Sequence, residues 1–244
     1  MRAIAAIAAL LLAAACGRDS AAPAEIPADP DTLVLRTQEL RSGPAPWERG
    51  LLPTFSLYGG GRVIVPDTPA GALQRAREFE ISAPTLHQLV ADAHAAGLHR
   101  AQVYEDTDVV DAGALIVTLG TVDTRISAPE SAGRVLRYLK QLPRTPPGAR
   151  DFPTTALAVL ATPGVSAGPA AATPWPLHPL ADGIRTTEGR CVIVTGAALA
   201  GAMRLARTAQ QRTRWSSGDQ LYAVSFRPLL PDEHRCADID IRLP

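Results

Sequence analysis

The chain has 244 residues, 46% of them hydrophobic, and its 24 basic residues balance its 24 acidic residues. A chain of this length and composition can bury a core, which excludes disorder throughout. The zero formal net charge gives no overall attraction for nucleic acid, so no nucleic-acid partner is expected.

The N-terminus has the pattern of a bacterial export signal with a site for lipid attachment. Arg2 supplies a positive charge, and residues 4–15 form an uncharged apolar run. This run is shorter than the roughly 20 residues that a membrane-spanning helix needs. The string LAAAC at 12–16 resembles a lipobox, although Ala13 stands where leucine is commonest. The pattern predicts that residues 1–16 contain a lipoprotein signal peptide and that Cys16 receives the lipid; an ordinary secretory signal with an incidental cysteine is the alternative.

Residues 17–31 predict a flexible tether, because they are mainly Ala, Pro, Asp and Ser and hold few apolar side chains that could anchor them. Two or three acyl chains on Cys16 would hold the protein stably at a membrane, whereas one chain binds only marginally. We therefore expect an extracytoplasmic protein, anchored by lipid to the outer face of the plasma membrane.

The next region, residues 32–143, predicts an α+β domain. Residues 32–37 indicate a strand, and a hairpin is predicted from 54–58 and 62–65, which flank three glycines. Apolar residues at helical spacing then predict a helix over 85–96, stopped by Gly97; these residues are Leu86, Leu89, Val90 and Ala93.

The tetrapeptide ISAP occurs at 81–84 and again at 126–129. The second copy follows predicted strands at 114–119 and 124–127 and precedes a predicted helix that ends before Pro143. In both copies Ser is placed to cap the new helix and Pro lies in its first turn. The pattern predicts two β-hairpin–helix units that form an antiparallel sheet with helices on one face. Duplication of one unit and chance recurrence of Ser-x-Pro both explain the repeat.

Residues 144–176 are rich in Pro, Ala and Gly and predict a connection, either a linker or a surface excursion, with one strand at 155–160. Residues 177–244 predict a C-terminal β-α-β unit, with strands at 190–194 and 221–226 around a helix at 197–210. If Cys16 is lipidated, Cys191 and Cys236 are the two remaining cysteines, and in an oxidising compartment we expect them to pair. Closing this 45-residue loop stabilises the fold by roughly 3 to 4 kcal/mol in the chain-entropy model.

No motif predicts a catalytic residue, a metal site or a cofactor. The glycines at 59–61 lack the following Lys of a phosphate loop, and neither GxSxG nor HExxH occurs. The acidic stretch at 105–113 departs from the calcium-loop pattern, because Val110 and Val117 stand at ligand positions. A non-catalytic role is favoured, and a hydrolase whose site is assembled from distant loops is an alternative.

The segment RPLLPDEHRC at 227–236 is the most distinctive part of the chain. Its prolines and the expected disulfide stiffen it, so it could present side chains to a partner at reduced entropic cost. In the alternative, both leucines join the core. The candidate interaction residues are Arg227, Leu229, Leu230, Asp232 and Glu233.

Two resemblances bear on function. The string PTFSLYGGGRVI at 53–64 and RPLLPDE before Cys236 resemble uncharacterised actinobacterial membrane lipoproteins, in which LYGDGRVI and RPLLPDE occur; here Gly60 replaces Asp. This resemblance implies a lipoprotein of the cell envelope without assigning an activity. The stretch from Trp215 to Cys236 is also similar to the C-terminal strand of subtilisin-inhibitor-like proteins, which implies a secreted-protease inhibitor as an alternative function. The expected partners are the membrane and either an envelope protein or a secreted protease.

Overall fold

A computed structural model describes residues 26–40, 50–105, 113–164, 171–187 and 189–239. The predicted signal peptide with Cys16, and the predicted tether up to residue 25, lie outside these ranges. The described residues form a mixed α+β structure built on one 14-stranded sheet. None of the helices in these ranges is long and apolar enough to cross a membrane.

Strands make up most of the described chain. Their bounds are β1 (Leu33–Leu40), β2 (Phe55–Tyr58), β3 (Arg62–Ala70), β4 (Leu73–Glu80), β5 (Gln102–Tyr104), β6 (Ala114–Leu119), β7 (Val122–Ile126), β8 (Arg150–Asp151), β9 (Ala156–Pro163), β10 (Thr173–Pro174), β11 (Ile184–Thr186), β12 (Gly189–Thr195), β13 (Arg214–Ser217) and β14 (Gln220–Pro228). The α-helices are α1 (Ala83–Ala95), α2 (Gly133–Leu139) and α3 (Gly196–Thr208).

The sheet runs through both the N-terminal and the C-terminal parts of the chain. Its main path is β11-β12-β9-β14-β4-β3-β2-β1-β6-β7-β5, with β8, β10 and β13 attached beside it. Most neighbours are antiparallel, but β14 and β4 pair in parallel, with Phe226 beside Leu73. This parallel pair joins the strands of the C-terminal β-α-β unit to those of the predicted hairpin–helix region.

The first helix follows the sequence expectation closely. The side chain of Ser82 accepts a hydrogen bond from the backbone N–H of Thr85, and Pro84 lies in the first turn. Leu86, Leu89, Val90 and Ala93 are its buried residues. The helix therefore begins at the first ISAP for the predicted reason, which is capping of free backbone N–H groups.

The predicted arrangement of two hairpin–helix units is not confirmed. The hairpin of β2 and β3 is present, but β3 continues to Ala70 and forms a further hairpin with β4, and it is β4 that leads into α1. At the second ISAP, β6 and β7 pair as expected, yet α2 begins at Gly133 and Ala132 is its N-cap. Ser127 therefore does not cap a helix, and the two copies of ISAP lie in different structures.

In the C-terminal part, β12 and α3 form as expected, but β13, a strand that the sequence did not predict, lies between α3 and β14 in the chain. The strand β9, which comes from the predicted connection, lies between β12 and β14 and is antiparallel to both. The two strands of the predicted β-α-β unit, β12 and β14, are therefore not neighbours. The predicted pairing of Cys191 with Cys236 is confirmed.

All three helices cover the same face of the sheet. One apolar cluster lies under α1 and α2, and a second lies under α3. Leu73 belongs to the second cluster and Phe79 packs against the first. These two residues are six apart on β4 and so project to the same side, because strand side chains alternate. The opposite face is covered in part by the segment after β14, where Leu229 and Leu230 pack.

Candidate functional site

A cleft of about 490 Å³ opens on the helix face, beside the end of α2. Its floor crosses four neighbouring strands, to which Val65, Phe55, Thr37 and Leu115 belong. Adjacent strands lie about 4.8 Å apart, so a floor of this kind is roughly 14 Å long. The other side is formed by the end of α2 and the residues after it, which are Leu139, Leu142, Pro143, Arg144 and Thr145.

The cleft leaves apolar surface open to solvent. Phe55 and Val65 are buried, while Leu115, Leu139 and Leu142 are only partly buried against the same core cluster. The helix α2 is short and ends at Leu139, so it does not extend over the whole width of the strands beneath it. Among the residues that the structure describes, the sheet face beside the end of α2 is therefore only partly covered.

Polar groups lie at specific points of this apolar cleft. The hydroxyl oxygens of Thr37 and Thr54 are 2.7 Å apart, and the Thr54 hydroxyl also lies 3.2 Å from the Thr37 carbonyl oxygen, to which it can donate. Arg144 is exposed at the edge, and Glu39 contributes a carboxylate that has an interaction of its own. Small-molecule sites are typically clefts of about 300–1,000 Å³, mainly apolar with a few placed polar groups. The cleft has the dimensions and chemistry of such a site.

The structure places the sequence-predicted interaction segment against the sheet. Leu229 and Leu230 are only 5% and 3% exposed, and Arg227 and Glu233 are likewise buried. Of the two arrangements considered for this segment, the one in which both leucines join the core is therefore the arrangement found. Burial of the leucines removes apolar area from water, which stabilises the fold by about 1.5–3 kcal/mol for each side chain.

The same segment is held by a buried ionic network. The Arg227 guanidinium donates to both carboxylate oxygens of Glu233 at 2.6 Å, and Glu233 also accepts from the backbone N–H of Leu230 at 2.8 Å. Beside this pair, Arg36 and the hydroxyl of Tyr58 both donate to Asp232, at 2.7 and 2.8 Å. The network thus joins β14, β1 and β2 to the segment that covers them.

Burial and neighbouring charges perturb the groups of this network. Burial raises the pKa of the Tyr58 phenol; Arg36 opposes this effect and Asp232 adds to it. Burial opposes the charge of Arg36, but Tyr58, Asp232 and Glu233 together raise the pKa of its guanidinium. Tyr58 is therefore a neutral hydrogen-bond donor and Arg36 a permanent cation, which is the pattern of a structural network with its polar groups satisfied.

The disulfide fixes the far end of the segment. Cys191 lies in β12 and Cys236 begins a short 3₁₀ turn, with 5.9 Å between their Cα atoms, and both residues are buried. Among the residues that the structure describes, no group of three or more His, Cys, Asp and Glu is placed to hold a metal ion. Most of the acidic stretch at 105–113 lies outside those residues.

Sequence reasoning did not find the cleft. The alternation of β1, β2, β3 and β6 indicates which side chains share the helix face, but it does not show where that face stays uncovered. Comparison with known proteins does not indicate a site either, because no protein-family model, no curated protein and no solved structure matches the chain.

Proposed function

We propose that this chain is a lipid-anchored extracytoplasmic lipoprotein with a non-catalytic binding role, exerted through the cleft beside α2. The observation that carries the binding role is the cleft itself, where the partly buried Leu115, Leu139 and Leu142 lie beside the paired hydroxyls of Thr37 and Thr54. Clefts of this size, with apolar side chains and a few placed polar groups, are typical sites for small ligands.

Two features support the proposed location. The N-terminal string LAAAC resembles a lipobox and would make Cys16 the lipidated residue. The disulfide between Cys191 and Cys236 belongs to an oxidising compartment, outside the cytosol. Both features are expected of a lipoprotein at the outer face of the plasma membrane.

Anchoring is tested by metabolic labelling with an alkyne fatty acid in cells that produce the tagged chain. We expect the wild-type chain to carry the label and to fractionate with membranes, and we expect Cys16→Ser to lose the label and leave the membrane fraction. Label that persists in Cys16→Ser would contradict lipidation at this residue.

The binding role is tested on the protein isolated from the same cells. Native mass spectrometry of the wild-type chain is expected to show an additional bound mass that is absent from Thr54→Trp, since a tryptophan at this exposed position fills the cleft. Chemical crosslinking in intact cells then separates a small ligand from an envelope protein or a secreted protease. A bound mass retained in full by Thr54→Trp would place binding elsewhere.

A further inference from the structure

The outer side of α2 is a row of positive charge. Arg134, Arg137 and Lys140 are exposed and follow one another at intervals of three residues, while Val135 and Tyr138 face the core. Residues three apart on a helix are neighbours, with about 5–6 Å between their Cβ atoms. Every fully exposed side chain of α2 and its C-cap is therefore basic.

None of these basic side chains forms an ion pair within the described part of the chain. The ion pairs found there do not involve Arg134, Arg137, Lys140 or Arg144, although arginines of the sheet such as Arg62 are paired with carboxylates. Like charges at neighbouring positions of a helix repel one another. An anion bound along the row would relieve this repulsion.

The basic row ends beside the cleft, at the C-terminal end of α2. Leu139 and Leu142, on either side of Lys140 in the sequence, line the cleft, and Arg144 belongs to its lining. The cleft thus has apolar side chains, the cation of Arg144 and the carboxylate of Glu39 in its lining, and the row of cations lies at the end of α2 beside it. A small inorganic anion would not contact the apolar side chains, and an uncharged hydrocarbon would gain nothing from the cations.

We propose that the cleft binds the acyl chain of an anionic lipid, whose phosphate headgroup lies at Lys140 and Arg144, while Arg134 and Arg137 add attraction to an anionic membrane surface. Burial of the chain against the partly buried Leu115, Leu139 and Leu142 supplies the hydrophobic contribution. Each Lys or Arg near an anionic membrane surface adds an attraction that salt screens. This inference rests on the proposed function, because the lipid on Cys16 would keep the cleft within reach of such lipids.

The first experiment measures sedimentation of the full chain carrying Cys16→Ser with lipid vesicles, so that its own anchor does not contribute. We expect binding to phosphatidylcholine vesicles that contain phosphatidylglycerol, weaker binding at higher salt, and little binding to pure phosphatidylcholine. Arg134→Gln with Arg137→Gln should lower the partition coefficient about thirty-fold, because two charges are lost.

The chain offers a matched control for these two substitutions. Arg204 and Arg207 are exposed, three residues apart, and lie on α3. Arg204→Gln with Arg207→Gln changes the net charge equally and should leave vesicle binding nearly unchanged. Equal losses in both double variants would show a nonspecific effect of charge and would overturn the proposed site, as would equal binding to the two kinds of vesicle.

The second experiment tests the cleft with a soluble probe. Calorimetry should show saturable binding of dodecyl phosphate, loss of that binding in Thr54→Trp, weakening in Arg144→Gln, and no measurable binding of inorganic phosphate. Thermal melting of each variant checks its fold. Arg144 is exposed and lies outside every helix and strand, so Arg144→Gln still tests the cleft if Thr54→Trp unfolds. Inorganic phosphate or a polyglutamate peptide binding as tightly as dodecyl phosphate would overturn the proposal.

The two proposals fail separately. A wild-type chain that carries no fatty-acid label but binds dodecyl phosphate would reject the anchor and keep the lipid cleft. A labelled chain whose Cys16→Ser form binds neither vesicles nor dodecyl phosphate would reject the lipid cleft and keep the anchored protein.

Discussion

At the scale of single residues, Arg227 and Glu233 show how the segment after β14 is fixed to the sheet. Their side chains are each 2% exposed, and the Nη2 group of Arg227 donates to both carboxylate oxygens of Glu233. Desolvation of two charges offsets much of the attraction in such a pair, but removal of one partner leaves the other charge buried and uncompensated. The fold is therefore stable only when this segment lies against the sheet with the pair formed.

Replacement of Glu233 by Ala is expected to lower the free energy of unfolding by roughly 3–5 kcal/mol, because Arg227 then stays buried without a counter-ion. The measurement is urea unfolding followed by circular dichroism. Arg235→Ala, which breaks an exposed ion pair with Asp238, serves as the control and should cost less than about 1 kcal/mol. Similar losses in the two variants would contradict a special role for the buried pair.

A second residue-scale prediction concerns His94 at the end of α1. Burial lowers the pKa of His94, and the ring of His99, whose centroid is 5.2 Å away, lowers it further. The unfolded chain therefore binds more protons at this site in the window below the ordinary histidine pKa of about 6.5, so stability falls as the pH decreases through that window.

We expect His94→Gln to reduce the loss of melting temperature between about pH 7.5 and pH 5.5, since the titrating group is gone. His87→Gln, at an exposed position on the same helix, should leave that loss as it is. An unchanged pH dependence in His94→Gln would show that the two stacked rings do not affect folding.

At the scale of secondary-structure elements, the two ISAP segments separate local preference from context. The hydroxyl of Ser82 accepts from Thr85 and caps α1, whereas the backbone of Ser127 bonds to the carbonyl of Tyr104 and α2 begins later. The same four residues thus end a strand in both places but begin a helix immediately in only one. After β7, the backbone N–H groups of Ser127 and Ala128 both donate to the carbonyl oxygen of Tyr104 in β5.

This difference predicts unequal effects of one substitution. Ser82→Ala should lower the free energy of unfolding by about 1 kcal/mol, the usual effect of losing an N-cap, and Ser127→Ala should change it by only a few tenths. Chemical denaturation of the two variants measures both values. A loss at Ser127 equal to that at Ser82 would show that the second serine has a role beyond capping.

At the scale of the whole molecule, the two parts of the sheet are joined at the tip of the β3–β4 hairpin. The backbone N–H of Ala72 donates to the carbonyl of Ala206 at 2.8 Å, and β4 pairs with β14. At Gly71, φ is +63°, and a Cβ atom here would lie 2.3 Å from the carbonyl oxygen of Arg207. Only glycine allows the hairpin to approach α3 this closely.

Gly71→Ala is therefore expected to destabilise the fold by more than about 3 kcal/mol, since both the positive φ and the contact with backbone oxygen are unfavourable. Gly120→Ala is the matched control, because Gly120 has a φ of +61° but nothing within 4 Å of the added atom; its expected cost is about 1 kcal/mol.

Thermal melting should also show one transition in the wild-type chain. Two separated transitions there would mean that the joined parts unfold independently.

The sequence by itself determined features that depend on short stretches of chain or on simple counting. Periodicity located α1 and α3, the cap at Ser82 marked where α1 begins, and the presence of two cysteines beyond Cys16 pointed to the disulfide. Side-chain spacing and capping act within a few residues, so they can be seen without the fold.

Only the tertiary structure decided the rest. The strand β4 was not predicted, because charged residues occur throughout its sequence LQRAREFE. Some of these charges are paired only in the fold, as Glu78 is with Arg62. Burial of Leu229 and Leu230, the place of β9 between β12 and β14, and the opening beside α2 likewise depend on partners distant in sequence. A local pattern fixes which face of an element is apolar, but long-range packing decides which part of that face stays uncovered.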